Sequence, residues 1–228
     1  MTLTANNRWL VLLAIVLTCA LLLSHRFLPW RTLQLLPNPG AVQFIYADEE
    51  AGGGNHISWV DYDNSHWRCS RSPELPSFYC GYNLALSEDY IHGVDISSYK
   101  RLRVALTVKM DPPRVAFVFR NYNPEYSTSD DGDSAQYINF NVRTQDVTDE
   151  IVVGLDEFRV ADWWLYQRDI PRQYTQPEFG NITVFGINLG DNLPAGDSDL
   201  IVHRVTLEKP WISAEGLYLA VLLFWMAA

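Results

Sequence analysis

Three short stretches of the chain carry side chains able to hold a ligand. The first, Arg120-Asn121-Tyr122-Asn123-Pro124-Glu125-Tyr126, runs off an apolar segment into the acidic loop STSDDGDS. Tyrosine rings stack on the apolar faces of sugars, and guanidinium and amide groups fork hydrogen bonds to hydroxyls or carboxylates. The alternative is that Arg120 and Asn123 satisfy backbone groups of a long loop. The second stretch is Asp162-Trp163-Trp164-Leu165-Tyr166. On a strand, adjacent tryptophans face opposite sides, so at least one belongs to the core. An exposed one, together with Tyr166, forms a binding platform. The third is Asp130, Asp131 and Asp133. Clustered carboxylates hold calcium, but Gly132 falls too early for an EF-hand and no Glu completes the loop. A solvated charge run fits this stretch better.

Catalytic signatures are missing. There is no G-x-S-x-G elbow, no H-E-x-x-H and no P-loop. His25, His56, His66, His92 and His203 are scattered. Asp156-Glu157 and Glu49-Glu50 have the residue types of a glycosidase pair, yet nothing in their spacing brings them together. Gly52-Gly53-Gly54 reads as a turn, since neither a helix nor a Lys follows to make a phosphate cradle. The net charge of −10 repels phosphate backbones and anionic lipid surfaces, which excludes nucleic acid as a partner. These features point to binding rather than catalysis.

The elements that must position these residues lie between two apolar ends. Trp9 to Leu23 is uncharged but shorter than the ~20 residues that span a bilayer. Continuing through Phe27 to Trp30 passes His25 and Arg26, which can snorkel. No small-x-small cleavage site follows, so the segment reads as an uncleaved signal anchor over residues 1–30. A lipoprotein processed at Cys19 is the alternative, though Leu17-Thr18 makes a poor lipobox. Gly216 to Ala228 is a second apolar run, entered through Trp211 and Tyr218, residue types enriched at membrane interfaces. It is too short to cross, and the expectation is that residues 211–228 begin a second transmembrane helix continuing beyond Ala228.

Pro37-Asn38-Pro39-Gly40 marks a linker over residues 31–41. From residue 42 to 210 the pattern is short strands and turns. Leu102, Val104, Leu106 and Val108 alternate with polar or small residues; Asp111-Pro112-Pro113 breaks the chain; RVAFVFR resumes as a strand apolar on both faces. Ile138, Phe140 and Val142 alternate again, and EIVVGL, NITVFGINL and DLIVHRVTLE supply three more strands. Apart from a turn around Asp156 to Trp164, no long helical period appears. The fold class is all-β, a sandwich or jelly roll. Cys69 and Cys80 either close a disulfide, which needs an oxidising compartment and places the domain outside the cytoplasm, or remain two buried thiols.

The order of elements resembles the galactose-binding-like jelly rolls, a superfamily that includes carbohydrate-binding modules. The similarity is carried by FIYADEE…GGGN, YCGYNLALS, the step from Val152 to Phe158, the strand from Ile182 to Leu189 and the closing DLIVHRVTLE. More narrowly, the layout resembles the periplasmic sensory region between two membrane helices ahead of bacterial diguanylate cyclase (GGDEF) modules, although no GGDEF motif occurs in the chain. The resemblance implies an inner-membrane protein with its β domain in the periplasm, acting as a homodimer on a small molecule, glycan or periplasmic protein. The rival reading is an anchored carbohydrate-binding or adhesion module without signalling. Binding residues by this reading are Arg120, Asn121, Tyr122, Asn123, Tyr126, Trp163, Trp164 and Tyr166. The resemblance also implies a structural calcium near the first and last strands, with Asp48, Glu49 and Glu208 as candidate ligands.

Overall fold

A computed structural model describes residues 5–25, 27–109, 113–190 and 193–227; Arg26 and the Asp111-Pro112 break fall outside them. The chain divides into two units, residues 32–208 and residues 1–31 with 209–228.

In the second of these, α1 (Ala5–His25) and α3 (Ala214–Ala227) are the apolar ends. The 18 residues Arg8–His25 make α1 long and apolar enough to cross a membrane, while α3 is shorter. The helices are linked by a hydrogen bond from Trp225 Nε1 to Thr18 Oγ1 at 3.2 Å and by His25 Nε2 to the Ile212 carbonyl at 2.8 Å. Arg31 lies 4.0 Å over the Trp211 ring, a cation–π contact.

Residues 32–208 form a jelly-roll β-sandwich. The strands are β1 (Trp30–Leu36), β2 (Gln43–Ala47), β3 (Asn55–Asp61), β4 (His66–Arg71), β5 (Cys80–Ala85), β6 (Arg101–Lys109), β7 (Arg114–Asn121), β8 (Gln136–Arg143), β9 (Glu150–Gly154), β10 (Arg159–Val160), β11 (Ile182–Asn188) and β12 (Gly196–Pro210). Sheet A has the order β3-β4-β12-β6-β9, with β1 also pairing β12; sheet B has the order β10-β8-β7-β11-β5-β2. The six strands expected from alternation are all present. The expected linker over residues 31–41 is corrected: it contains most of β1, whose Leu35 and Leu36 are buried. Two adjacent apolar residues there give no period-2 signal, and the Pro-rich turn that follows masks the strand.

Inward-facing residues of both sheets make the core. Phe117, Phe119, Phe158, Phe185, Trp67 and Tyr82 are fully buried. Phe119 is its centre, with ring centroids 5.2 Å from Phe158 and 5.5 Å from Phe185. Truncating such a ring costs about 3–5 kcal/mol. Cys69 on β4 and Cys80 on β5 are disulfide-bonded, so the bridge ties sheet A to sheet B. The turn expected near Asp156–Trp164 includes a six-residue helix, α2 (Asp162–Gln167).

Candidate functional site

The antiparallel registers of sheet B lay its outward residues in rows. One row reads Tyr46, Gly81, Asn188, Ala116, Asn141 across β2, β5, β11, β7 and β8. The next reads Phe44, Asn83, Gly186, Val118, Asn139, Arg159, and a third pairs Val184, Arg120 and Tyr137. The two glycines let side chains lie down on the sheet. A Cβ at Gly81 would stand 2.5 Å from the end of the Tyr46 ring, and one at Gly186 would stand 2.4 Å from Asn83 Oδ1. Glycine within a strand commonly marks such close approach.

The resulting floor is aromatic and amide-rich. Asn188 Nδ2 donates to the Tyr46 hydroxyl at 3.1 Å, and the same side chain reaches the Tyr137 hydroxyl. Burial pushes both phenols above their ordinary range, with the nearby Arg120 charge pulling the other way; both stay protonated at neutral pH. Arg120 Cζ sits 4.4 Å from the Tyr137 ring centre, and the Trp163 ring packs against the same ring in a T-shaped arrangement at 5.0 Å.

Two clefts open on this face. One, of about 510 Å³, is lined by Phe44, Asn83, Tyr90, Arg120, Tyr122 and the loop around Asp130–Asp133. Phe44 and Tyr90 form an edge-to-face pair there, 6.4 Å apart. The other, of about 580 Å³, is lined by Asn139, Asn141, Arg159, Trp163 and Gln176 among others. The amides of Asn83, Asn139 and Asn141 have no hydrogen-bond partner among the described residues, so their donors and acceptors face solvent. A larger recess of about 660 Å³ lies between the Leu36–Pro39 turn, the β3–β4 turn and β12, but no Phe, Tyr or Trp lines it.

The structure divides the residues expected from sequence. Arg120 and Tyr122 line the first cleft and Trp163 the second. Arg120 also donates to Asp133 Oδ1 at 3.1 Å. Asn121, Asn123 and Tyr126 are instead gathered on one carboxylate. Tyr126 hydroxyl donates to Glu178 Oε2 at 2.8 Å, Asn123 Nδ2 at 2.9 Å and Asn121 Nδ2 at 3.4 Å. Asn121 is buried, and its Oδ1 accepts from the Asn181 backbone. Burial, reinforced by Glu178, pushes the Tyr126 hydroxyl upward. These three side chains fasten the loop.

The tryptophan pair sits on α2, not on a strand. Successive residues of a helix point about 100° apart, so Trp164 is 0% exposed and Trp163 46%. Trp164 Nε1 donates to the Asp133 carbonyl at 3.1 Å, which pins the acidic loop beside the first cleft; Arg168 pairs with Asp131 at 2.5 Å. Tyr166 is 91% exposed but lines neither cleft. Sequence reasoning missed Phe44, Tyr46, Asn83, Tyr137, Asn139, Asn141 and Asn188 as a site. Their signal was indirect: glycine inside strands at Gly81 and Gly186.

The calcium set is not brought together. Asp48 is fully buried and accepts four N–H groups, while Glu208 pairs with Arg101 and Arg103. Glu49 accepts from exposed His56. Among the described residues no group of three His, Cys, Asp or Glu side chains is placed to hold a metal.

No protein-family model matches the chain, and no curated protein sequence matches it. Among solved structures, the chain is similar to the family 11 carbohydrate-binding module of cellulase Lic26A-Cel5E of Clostridium thermocellum, at 11% identity and TM-score 0.48, covering 79% of this chain and 94% of that one. A family 30 carbohydrate-binding module matches at 13% identity and TM-score 0.48, covering 82% and 96%. The xylan-binding module CBM86 of Roseburia intestinalis matches at 14% identity and TM-score 0.34, covering 73% and 94%. Likenesses this distant concern the course of the chain and say nothing of ligands.

Proposed function

We propose that the outer face of sheet B binds a carbohydrate chain, and that the protein is a membrane-anchored glycan-binding module. The observation that carries this reading is three amides without a hydrogen-bond partner among the described residues, Asn83 lining one cleft and Asn139 and Asn141 the other, on the same face as the rings of Phe44, Tyr46 and Trp163. Sugars present alternating hydroxyl edges and apolar C–H faces. Amides match the first and aromatic faces the second. Arg120, held by Asp133 and the Tyr137 ring, adds a preset donor fork at the cleft wall. The reading is tested by electrophoresis of the full chain in detergent through gels carrying soluble neutral polysaccharides. Retardation by at least one is expected; equal mobility in all of them overturns the reading.

The two apolar helices favour a second reading, in which binding is sensed by a bacterial inner-membrane signalling protein with its β domain in the periplasm. Only Trp211-Ile212-Ser213 separate β12 from α3, so the connection has little slack. The disulfide suits an oxidising compartment. Coupling of this kind is limited by the ligand's preference between two helix arrangements. Cysteines placed by Thr18→Cys and Trp225→Cys report that arrangement through their cross-linking rate. A retained polysaccharide should change the rate; an unchanged rate leaves the anchored module without signalling.

A further inference from the structure

The glycine run Gly52-Gly53-Gly54 and the buried Asp48 play no part in the proposed binding face, yet they form a closely packed polar cluster. Asp48 Oδ1 accepts from the Asn55 backbone N–H at 2.9 Å. Its Oδ2 accepts from Asn55 Nδ2 at 2.8 Å, Phe78 N at 2.6 Å and Tyr79 N at 3.3 Å. The turn wraps the carboxylate so closely that a Cβ at Gly53 would stand 2.0 Å from Asp48 Cγ. The backbone carbonyl of Asp48 is used as well, accepting from Ala51 and Gly53. Asn55 Nδ2 and the Leu193 N–H both reach Ser77 Oγ. One side chain thus fastens the end of β2, the start of β3 and the segment leading into β5.

Of the other two carboxylates expected to hold calcium, Glu49 is exposed and paired with His56, and Glu208 lies on the last strand. Glu208 Oε2 accepts from Arg101 Nε at 2.6 Å, and Oε1 accepts from Arg103 Nε at 2.8 Å.

We infer that both positions are closed to cations, and that the place a structural calcium would take is filled by the protein's own N–H donors. A carboxylate offers about four lone-pair sites, and four donors converge on Asp48. Their N–H dipoles turn positive ends toward the oxygens, the polarity of an anion cradle. Two guanidinium groups already neutralise Glu208, and a divalent ion there would meet their charge at hydrogen-bond range. Around Asp48 the buried side-chain acceptor left without a hydrogen-bond partner among the described residues is Asn55 Oδ1. A single neutral oxygen falls far short of the six to eight that calcium takes.

The test is thermal unfolding of the full chain in detergent, in EDTA and in excess CaCl2, for the natural protein and for Asp48→Asn and Glu208→Gln. A bound ion raises the midpoint with concentration. The expected result is an identical midpoint with and without calcium in the natural protein, and a midpoint several degrees lower in Asp48→Asn in both buffers. A calcium-dependent rise that either substitution removes overturns the inference. A rise that survives both substitutions locates an ion elsewhere and leaves these positions closed, as inferred. Should Asp48→Asn fail to fold, the natural protein and Glu208→Gln decide the matter.

Discussion

The outer faces of the two sheets are built from different polar residue types and use them in opposite ways. On sheet A, Arg204 and Arg103 share Glu150, and Arg103 and Arg101 share Glu208. Arg68 closes on Asp199 at 2.6 Å, and Ser70 on Asp197. On sheet B, three amides have no hydrogen-bond partner among the described residues, and the Tyr46 ring lies down over Gly81. A polar group satisfied within the fold has little left to offer a ligand, whereas an exposed, preset, unsatisfied one does. Under the proposed function, sheet B is the face left open for recognition and sheet A the one whose polar groups satisfy each other.

The contrast breaks most visibly at Glu208. Glu208→Ala takes from Arg101 and Arg103 the buried carboxylate they share, leaving Arg103 its bond to Glu150, and should cost about 3 kcal/mol, read from urea unfolding, while mobility in polysaccharide gels stays that of the natural protein. A binding loss without a stability loss would reverse the roles of the two faces. Acid should act through the same group. Burial raises the Glu208 carboxyl, but hydrogen bonds from Arg103 and Arg101 outweigh it and hold the group below the ordinary range. A depressed folded value means stability that is present above the unfolded value, about 4.3, and lost as pH falls through the folded one. Glu208→Gln should therefore flatten the acid limb of the stability curve below about pH 4.3; an unchanged limb assigns acid sensitivity to other carboxylates. The inter-sheet disulfide comes next. Cys69→Ser with Cys80→Ser opens a short loop and should cost about 2–3 kcal/mol, again by urea titration; a loss confined to binding would mean that the bridge orders only the outer face of sheet B.

A smaller expected effect sharpens the other side of the comparison. Gly81→Ala pushes the tip of the Tyr46 ring off the sheet. The tip can swing outward, so unfolding should change little, while loss of one stacking surface weakens glycan affinity about tenfold, or ~1.4 kcal/mol. Unchanged affinity by calorimetry would remove Tyr46 from the floor of the site. At the low end, Arg204→Ala loses one exposed ion pair and should shift stability by no more than about 0.5 kcal/mol; a larger shift would make the ion-pair ladder of sheet A cooperative.

How much of this was legible from residues follows from what each signal depends on. Strands β6, β7, β8, β9, β11 and β12 showed because alternation is local: Leu102 to Val108 writes its buried face into the sequence. Strand β1 did not, because Leu35 and Leu36 adjoin and Pro37 interrupts. Helix α2 spans less than two turns, too short for a period to register, so Trp163 and Trp164 were read as a strand pair. The division into one core and one exposed tryptophan still held, since both geometries separate neighbours. The site was the least legible part. Tyr46, Asn83, Asn188 and Tyr137 lie on four strands and meet only through register, which no linear spacing encodes. Asn121, Asn123 and Tyr126 looked like a binding motif because they are contiguous; their common partner, Glu178, lies more than fifty residues away.

The central claim is that the unpartnered amides of sheet B recognise carbohydrate. Because the side-chain amides of Asn83, Asn139 and Asn141 make no hydrogen bond among the described residues, replacing all three with alanine separates recognition from stability. The decisive measurement is a glycan array probed with the natural protein and with this triple variant at matched concentration, their unfolding curves being superimposable. The account predicts that the natural protein retains at least one glycan, and that the variant loses it by about a hundredfold, from roughly 1 kcal/mol for each hydrogen-bonding amide. Equal binding by the two proteins, or retention of no glycan by the natural one, would contradict it.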